Sequence, residues 1–153
     1  TGDKIIGEHM GLQFYTIGQR HGINVGGGIP FYVAKKDFQK NRLVVAEGPY
    51  DEKLFSSKLV ATNINWISDT PPKLPLRCEA RIRYRQPLQK ATLFQIPRNP
   101  ASRTLRVHYG TSKKQITKLQ AVFDAPQRAV TEGQSIVFYQ GQEMFWGGII
   151  SMS

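Results

Sequence analysis

Apolar and polar residues alternate in short runs along this chain, and turn-forming residues separate one run from the next. Residues 12–16 are apolar and β-prone, and glycines at 18, 22 and 26–28 punctuate the stretch after them. Runs at 31–34 and 43–46 flank a polar stretch, 36–42, and together read as a β-hairpin with a longer loop. Gly48-Pro49-Tyr50-Asp51 closes this part, and a short helical turn fits 51–56. From Lys58 onward the strand candidates are 59–67, 77–85, 91–96, 104–109, 116–123, 135–139 and 143–150, with a stiff break at Asp69-Thr70-Pro71-Pro72. No stretch carries the 3.6-residue period of a three-turn amphipathic helix. The expected fold is therefore mainly β. A small β-rich domain covers 1–57, and an antiparallel six- to seven-stranded β-barrel covers 58–153.

Charge sharpens this division. The chain of 153 residues has a formal net charge of +10. Residues 1–57 hold seven Lys and Arg against six Asp and Glu, a sum of +1, whereas 58–153 hold fourteen against five, a sum of +9. Solubility alone requires no such asymmetry. A charge block confined to one part is the footprint of a polyanion-binding surface, and nucleic acid is favoured over an acidic membrane or protein surface. No apolar run reaches the ~20 residues that cross a bilayer, and no secretory leader precedes the first strand. The one cysteine, Cys78, excludes an internal disulfide framework and a CxxC pair, and suits a reducing cytoplasm. The opening Thr1-Gly2-Asp3, without an initiator Met, reads as a cut edge.

The sharpest local pattern is Arg77-Cys78-Glu79-Ala80-Arg81-Ile82-Arg83-Tyr84-Arg85-Gln86. Strand alternation places Arg77, Glu79, Arg81, Arg83 and Arg85 on one face and Cys78, Ala80, Ile82 and Tyr84 on the other. Alternate arginines stand roughly 6.6 Å apart on a strand, a spacing at which each can fork onto a phosphate. A charged edge strand that discourages aggregation is the plainer reading, but lysine would serve it equally well. Gly18-Gln19-Arg20-His21-Gly22 sets two polar forks between glycines. Gln19 and Arg20 are candidate RNA contacts or, equally, satisfy the carbonyls of a tight turn. Gly26-Gly27-Gly28 is no phosphate loop, since neither GK[ST] nor a helix comes after it.

Candidates for catalysis are poor. His9, His21 and His108 show no metal-ligand spacing, so no metal site is expected. Cys78 falls at an inward position and reads as a packed thiol. Asp37, Asp51 and Asp124 sit in turn-like contexts. Phe123, Phe138 and Trp146 read as core, while Trp66 and Tyr139 are open to either face.

Four stretches together carry a family resemblance. They are the run from Gly7-Glu8-His9 to Gln19-Arg20-His21-Gly22; Phe31-Tyr32-Val33-Ala34-Lys35-Lys36-Asp37 with Asn41-Arg42-Leu43-Val44-Val45; Arg83-Tyr84-Arg85-Gln86; and Phe123-Asp124-Ala125-Pro126 through Gly133-Gln134-Ser135 to Gly147-Gly148-Ile149-Ile150. In this order they resemble the GEHxGLxxYTxGQRxG, hairpin, RYRQ and closing-strand segments of tRNA-specific 2-thiouridylases, the MnmA or TrmU family. The resemblance implies an enzyme that uses ATP to adenylate the wobble uridine of a tRNA, then replaces its 2-oxygen with sulfur from a cysteine persulfide. It places the SGGVDS loop and both catalytic cysteines in an N-terminal domain. This chain matches neither, so no catalytic residue and no cofactor is expected in it. It resembles the central domain plus the C-terminal barrel, the parts that grip tRNA.

Carried over by motif, Arg83, Tyr84 and Gln134 are the implied tRNA contacts. Arg81, Arg85, Gln19 and Arg20 join them from charge and alternation. Alternation sets Tyr84 opposite Arg83, so joint contact requires the strand to end or bulge there. Residues 97–115, with Arg98, Arg103, Arg106, Lys113 and Lys114, read as a basic extension beyond the family's short hairpin. The implied partners are tRNA, the N-terminal catalytic domain and a sulfur-relay protein, in the cytoplasm and without a membrane. Two other readings stay open: a stand-alone RNA-binding barrel and a docking barrel for the sulfur-relay protein. A methyltransferase is disfavoured, because no glycine-rich strand–turn–helix is present for a methyl-donor nucleotide.

Overall fold

A computed structural model describes residues 4–23, 25, 26, 28–67, 72–97 and 118–151. The strand expected at 104–109 and nearly all of the basic stretch 97–115 lie outside these residues. The chain forms two compact units, Thr1–Ser56 with Pro126–Thr131, and Ser57–Ala125 with Glu132–Ser153. Among the described residues no helix is long and apolar enough to cross a membrane.

The first unit is built on a hairpin of β1 (Phe31–Asp37) and β2 (Arg42–Glu47). Its strands run further than hydropathy suggests, because the Asp37 carboxylate accepts from the backbone N–H of Lys40 at 3.1 Å and tightens the loop. Asn41 takes the left-handed backbone (φ 48°) that closes this loop before the Asp37–Arg42 pair. Residues 12–16 are not a strand. Leu12–Phe14 form a 3-10 turn, with the N–H groups of Phe14 and Tyr15 bonded to the carbonyls of Gly11 and Leu12. Leu12 and Tyr15 are buried while Gln13 and Phe14 are exposed, a spacing of three that no pleated strand provides. A second 3-10 turn, Glu52–Leu54, comes after Asp51, whose side chain caps the N–H of Lys53. Leu12, Tyr15, Val33, Ala46, Leu54 and Ala129 are the buried apolar residues of this unit.

The second unit contains the barrel. Its strands are β3 (Phe55–Trp66), β4 (Leu76–Arg81), β5 (Gln89–Gln95), β6 (Lys118–Arg128), β7 (Ser135–Gln140) and β8 (Glu143–Ser151). They close in the order β3-β6-β5-β4-β7-β8, which leaves no unpaired edge. Alternation fills the interior with Leu59, Ala61, Cys78, Ala80, Ala91, Leu93, Leu119, Ala121, Phe123, Ile136, Phe138, Trp146 and Ile150. Small and large side chains interleave, as a narrow barrel requires. Gly148 shows how close the β3–β8 seam is: a Cβ there would lie 2.9 Å from the Thr62 carbonyl oxygen and 2.8 Å from the Ile64 side chain. The same seam carries a bulge between Thr62 and Asn65, with Asn63 at φ 49°.

Candidate nucleic-acid interface

β4 stops at Arg81, so the alternation expected through Arg85 does not continue. Ile82 is still buried, but the Arg83–Gln86 segment then folds into a turn, with the Gln86 N–H on the Arg83 carbonyl at 3.1 Å. The Gln86 side-chain oxygen accepts from the Ile82 N–H at 3.2 Å and so occupies a donor that a continuing strand would give to its neighbour. Pro87 comes next and has no N–H for a ladder. With the pleat broken, Arg83, Tyr84 and Arg85 all point to solvent, and Tyr84 is 89% exposed. The strand end that lets Arg83 and Tyr84 act together is therefore present.

Arg77 and Arg81 do not extend this display. The Arg77 guanidinium reaches across β5 to the Asp124 carboxylate on β6, donating through both terminal nitrogens, and also meets Thr92 Oγ1 at 3.2 Å. The hydrogen bond from Arg77 holds the Asp124 carboxyl below its ordinary range. Arg81 lies over the Tyr139 ring at 4.9 Å, and its Nη1 donates to the Tyr84 carbonyl at 3.1 Å. The single face expected for the four arginines is thus corrected: Arg77 is ion-paired within the sheet, Arg81 lies over the Tyr139 ring, and Arg83 and Arg85 belong to an exposed turn. Period-2 reading identifies faces but not the cross-strand partners that occupy them.

Gln134 precedes β7 and is half-buried, with a side-chain oxygen shut away from water. β4 and β7 are antiparallel through Arg81–Val137 and Glu79–Tyr139. The turn after Arg81 and the Gln134 end of β7 therefore share one end of the barrel. Gln95 and Lys118, the strand ends that 98–117 join, belong to the other end. In the first unit, Gln19 spends its amide on its own turn, accepting from the Thr16 N–H at 2.9 Å and donating to the His21 carbonyl at 2.7 Å. That is the turn-satisfying role considered for it from sequence. Arg20 beside it is exposed. Gln86, Tyr139 and Asp124 are the partners of this segment that pattern reading did not assign. Only the Gln86-Pro87 step offered a local signal, the arrest of a strand.

Cys78 faces the barrel interior, and burial pushes its thiol up to about 12. At pH 8 a thiol of that kind is thiolate in about one molecule in ten thousand. Iodoacetamide is therefore expected to modify native Cys78 at least ~100-fold more slowly than the unfolded chain, read by mass spectrometry. Equal rates would show that the barrel opens readily at β4. Such a thiol does not suit a persulfide carrier. Among the described residues no cluster of His, Cys, Asp and Glu could hold a metal.

Residues 1–47 match the family model of the tRNA methyl transferase PRC-barrel domain, and residues 56–123 and 105–150 match that of the aminomethyltransferase beta-barrel domain. The tRNA-specific 2-thiouridylase MnmA 2 of Geobacillus kaustophilus is 43% identical over 148 residues, covering 96% of this chain and 35% of its own length. MnmA of Alkalilimnicola ehrlichii is 44% identical over 153 residues, covering 96% and 37%. MnmA of Pseudomonas fluorescens is 40% identical over 158 residues, covering 100% and 37%. The chain spans little more than a third of the length of these relatives. It belongs to the tRNA-specific 2-thiouridylase family and carries that family's PRC-barrel and β-barrel portions.

Proposed function

We propose that this chain is the tRNA-holding portion of a 2-thiouridylase, and that sulfur transfer to the wobble uridine takes place on a separate catalytic portion. One observation carries this reading: a turn at one barrel end offers two exposed guanidinium groups on either side of an exposed tyrosine ring. Arginine forks suit phosphate oxygens, and a bare ring suits an unstacked base. Gln134 at the same end supplies a polar group of the kind that orients a nucleotide. In the first unit, taken by itself, exposed Arg20 is a further candidate phosphate contact, and tRNA is the partner.

ATP and the persulfide act, in this proposal, outside the third of the enzyme represented here. The described residues do not fit ATP, because their helical pieces are two 3-10 turns of three residues each, with no phosphate-cradling loop before a helix. No step is assigned to Cys78.

The test is tRNA binding by this chain as salt is raised from about 50 to about 200 mM, where phosphate contacts make the affinity fall steeply. Arg83→Ala is expected to weaken binding about tenfold and to reduce the log–log salt slope by about 1. Its unfolding midpoint should match the parent's, since the side chain is exposed. Affinity that ignores salt, or an Arg83→Ala chain that binds like the parent, would sink the reading.

A further inference from the structure

The arginine turn is held by its neighbours, and three contacts define the hold. Arg81 holds its guanidinium over the Tyr139 ring of the adjacent strand, with Cζ 4.9 Å from the ring centroid. From that seat Nη1 reaches the Tyr84 carbonyl at 3.1 Å, the central peptide of the turn. Gln86 ties the far side of the turn back to the Ile82 N–H at 3.2 Å. The Arg81 Nε is buried with no hydrogen-bond partner among the described residues.

A guanidinium with Nε shut from water has lost its side-on fork for a phosphate, and one Nη1–H is already committed to a carbonyl, so fewer donors are left for RNA. Its ring platform and its carbonyl partner are instead what a brace needs. We infer that Arg81, seated on Tyr139, is a positioning residue that fixes the Arg83–Gln86 turn for RNA rather than touching RNA itself. Its consequence for tRNA rests on the RNA-holding reading above. The brace itself does not.

Arginine and lysine differ sharply in such a role. Lysine keeps the positive charge but offers no plane to lie on the ring, and it cannot stack and reach the carbonyl together. Tyr139→Phe keeps the platform, whereas Tyr139→Ala removes it. Charge and positioning are thereby separated without reversing any sign.

Trypsin gives a readout that needs no RNA, because cleavage after Arg83 or Arg85 requires the turn to open locally. Arg81→Lys and Tyr139→Ala are expected to raise cleavage at these two bonds about three- to tenfold, while Tyr139→Phe leaves it unchanged. tRNA affinity should fall several-fold in the first two variants and stay at the parent value in the third. If Tyr139→Ala fails to fold, as its circular dichroism would show, Arg81→Lys decides alone. Parent-like protection of the turn in Arg81→Lys would overturn the inference. So would Arg81→Lys binding tRNA like the parent while its turn is cleaved faster. If cleavage changes as expected but the parent chain binds no tRNA, the brace stands and the RNA-holding reading falls.

Discussion

Replacing Phe138 by alanine is expected to cost the barrel about 3–5 kcal/mol, a large part of the ~5–15 kcal/mol that a domain of this kind possesses. Phe138 is fully buried and pairs with Ala80 on β4 and Trp146 on β8. Its ring meets Trp146 edge-on, with centroids 6.3 Å apart and planes at 77°. Ala80 and Ala91 are already minimal side chains and have nothing to extend into the space left behind. Strands closed into a ring can shift inward only by breaking ladder hydrogen bonds, so the cavity persists. Urea unfolding should show a markedly lower midpoint with an unchanged slope. A loss under ~2 kcal/mol would mean that the interior collapses onto the gap, contrary to the tight seam at Gly148.

That alternation of small and large interior residues is also what made the barrel legible. In β7 the exposures of Ile136 and Phe138 fall to zero while Val137 and Tyr139 remain partly accessible, and the sequence shows the same period. The hairpin of the first unit was visible for a similar reason, since two apolar runs flank a polar loop. Periodicity misleads where a contact distant in sequence, or a side chain bonding to backbone, overrides it. Arg77 and Asp124 lie 47 residues apart and meet only because β5 stands between β4 and β6. Arg81 looks like a phosphate ligand in sequence, yet β7 sets Tyr139 beneath it. Tyr84 continues the inward parity of Ile82 in the sequence, but Gln86 takes the Ile82 N–H and turns the chain outward. Residues 12–16 are apolar enough for a strand, but Gly11 at φ 129° opens a 3-10 turn that buries Leu12 and Tyr15 three apart. At Gly148 the residue type is plain, while the approach of β3 that demands it is not.

Reversing both exposed charges of the turn, with Arg83→Glu and Arg85→Glu together, is expected to reduce tRNA affinity ~100-fold or more near ~150 mM salt. Two lost phosphate contacts should also flatten the log–log salt slope by about 1.5. The two carboxylates add repulsion at the same spot, so the loss exceeds that of two alanines. Both side chains are exposed, so the thermal midpoint should scarcely move. The decisive comparison is Lys73→Glu with Lys118→Glu, which changes the net charge by the same amount elsewhere on the barrel. Lys73 is exposed just before β4, and Lys118 begins β6, both at the end away from the turn. If RNA is held at the arginine turn, this second pair loses only a few-fold, as distant charges are screened beyond about 8 Å at physiological salt. Equal losses from the two pairs would mean that the barrel attracts RNA through its overall charge, and Arg83 and Arg85 would then be two cations among many.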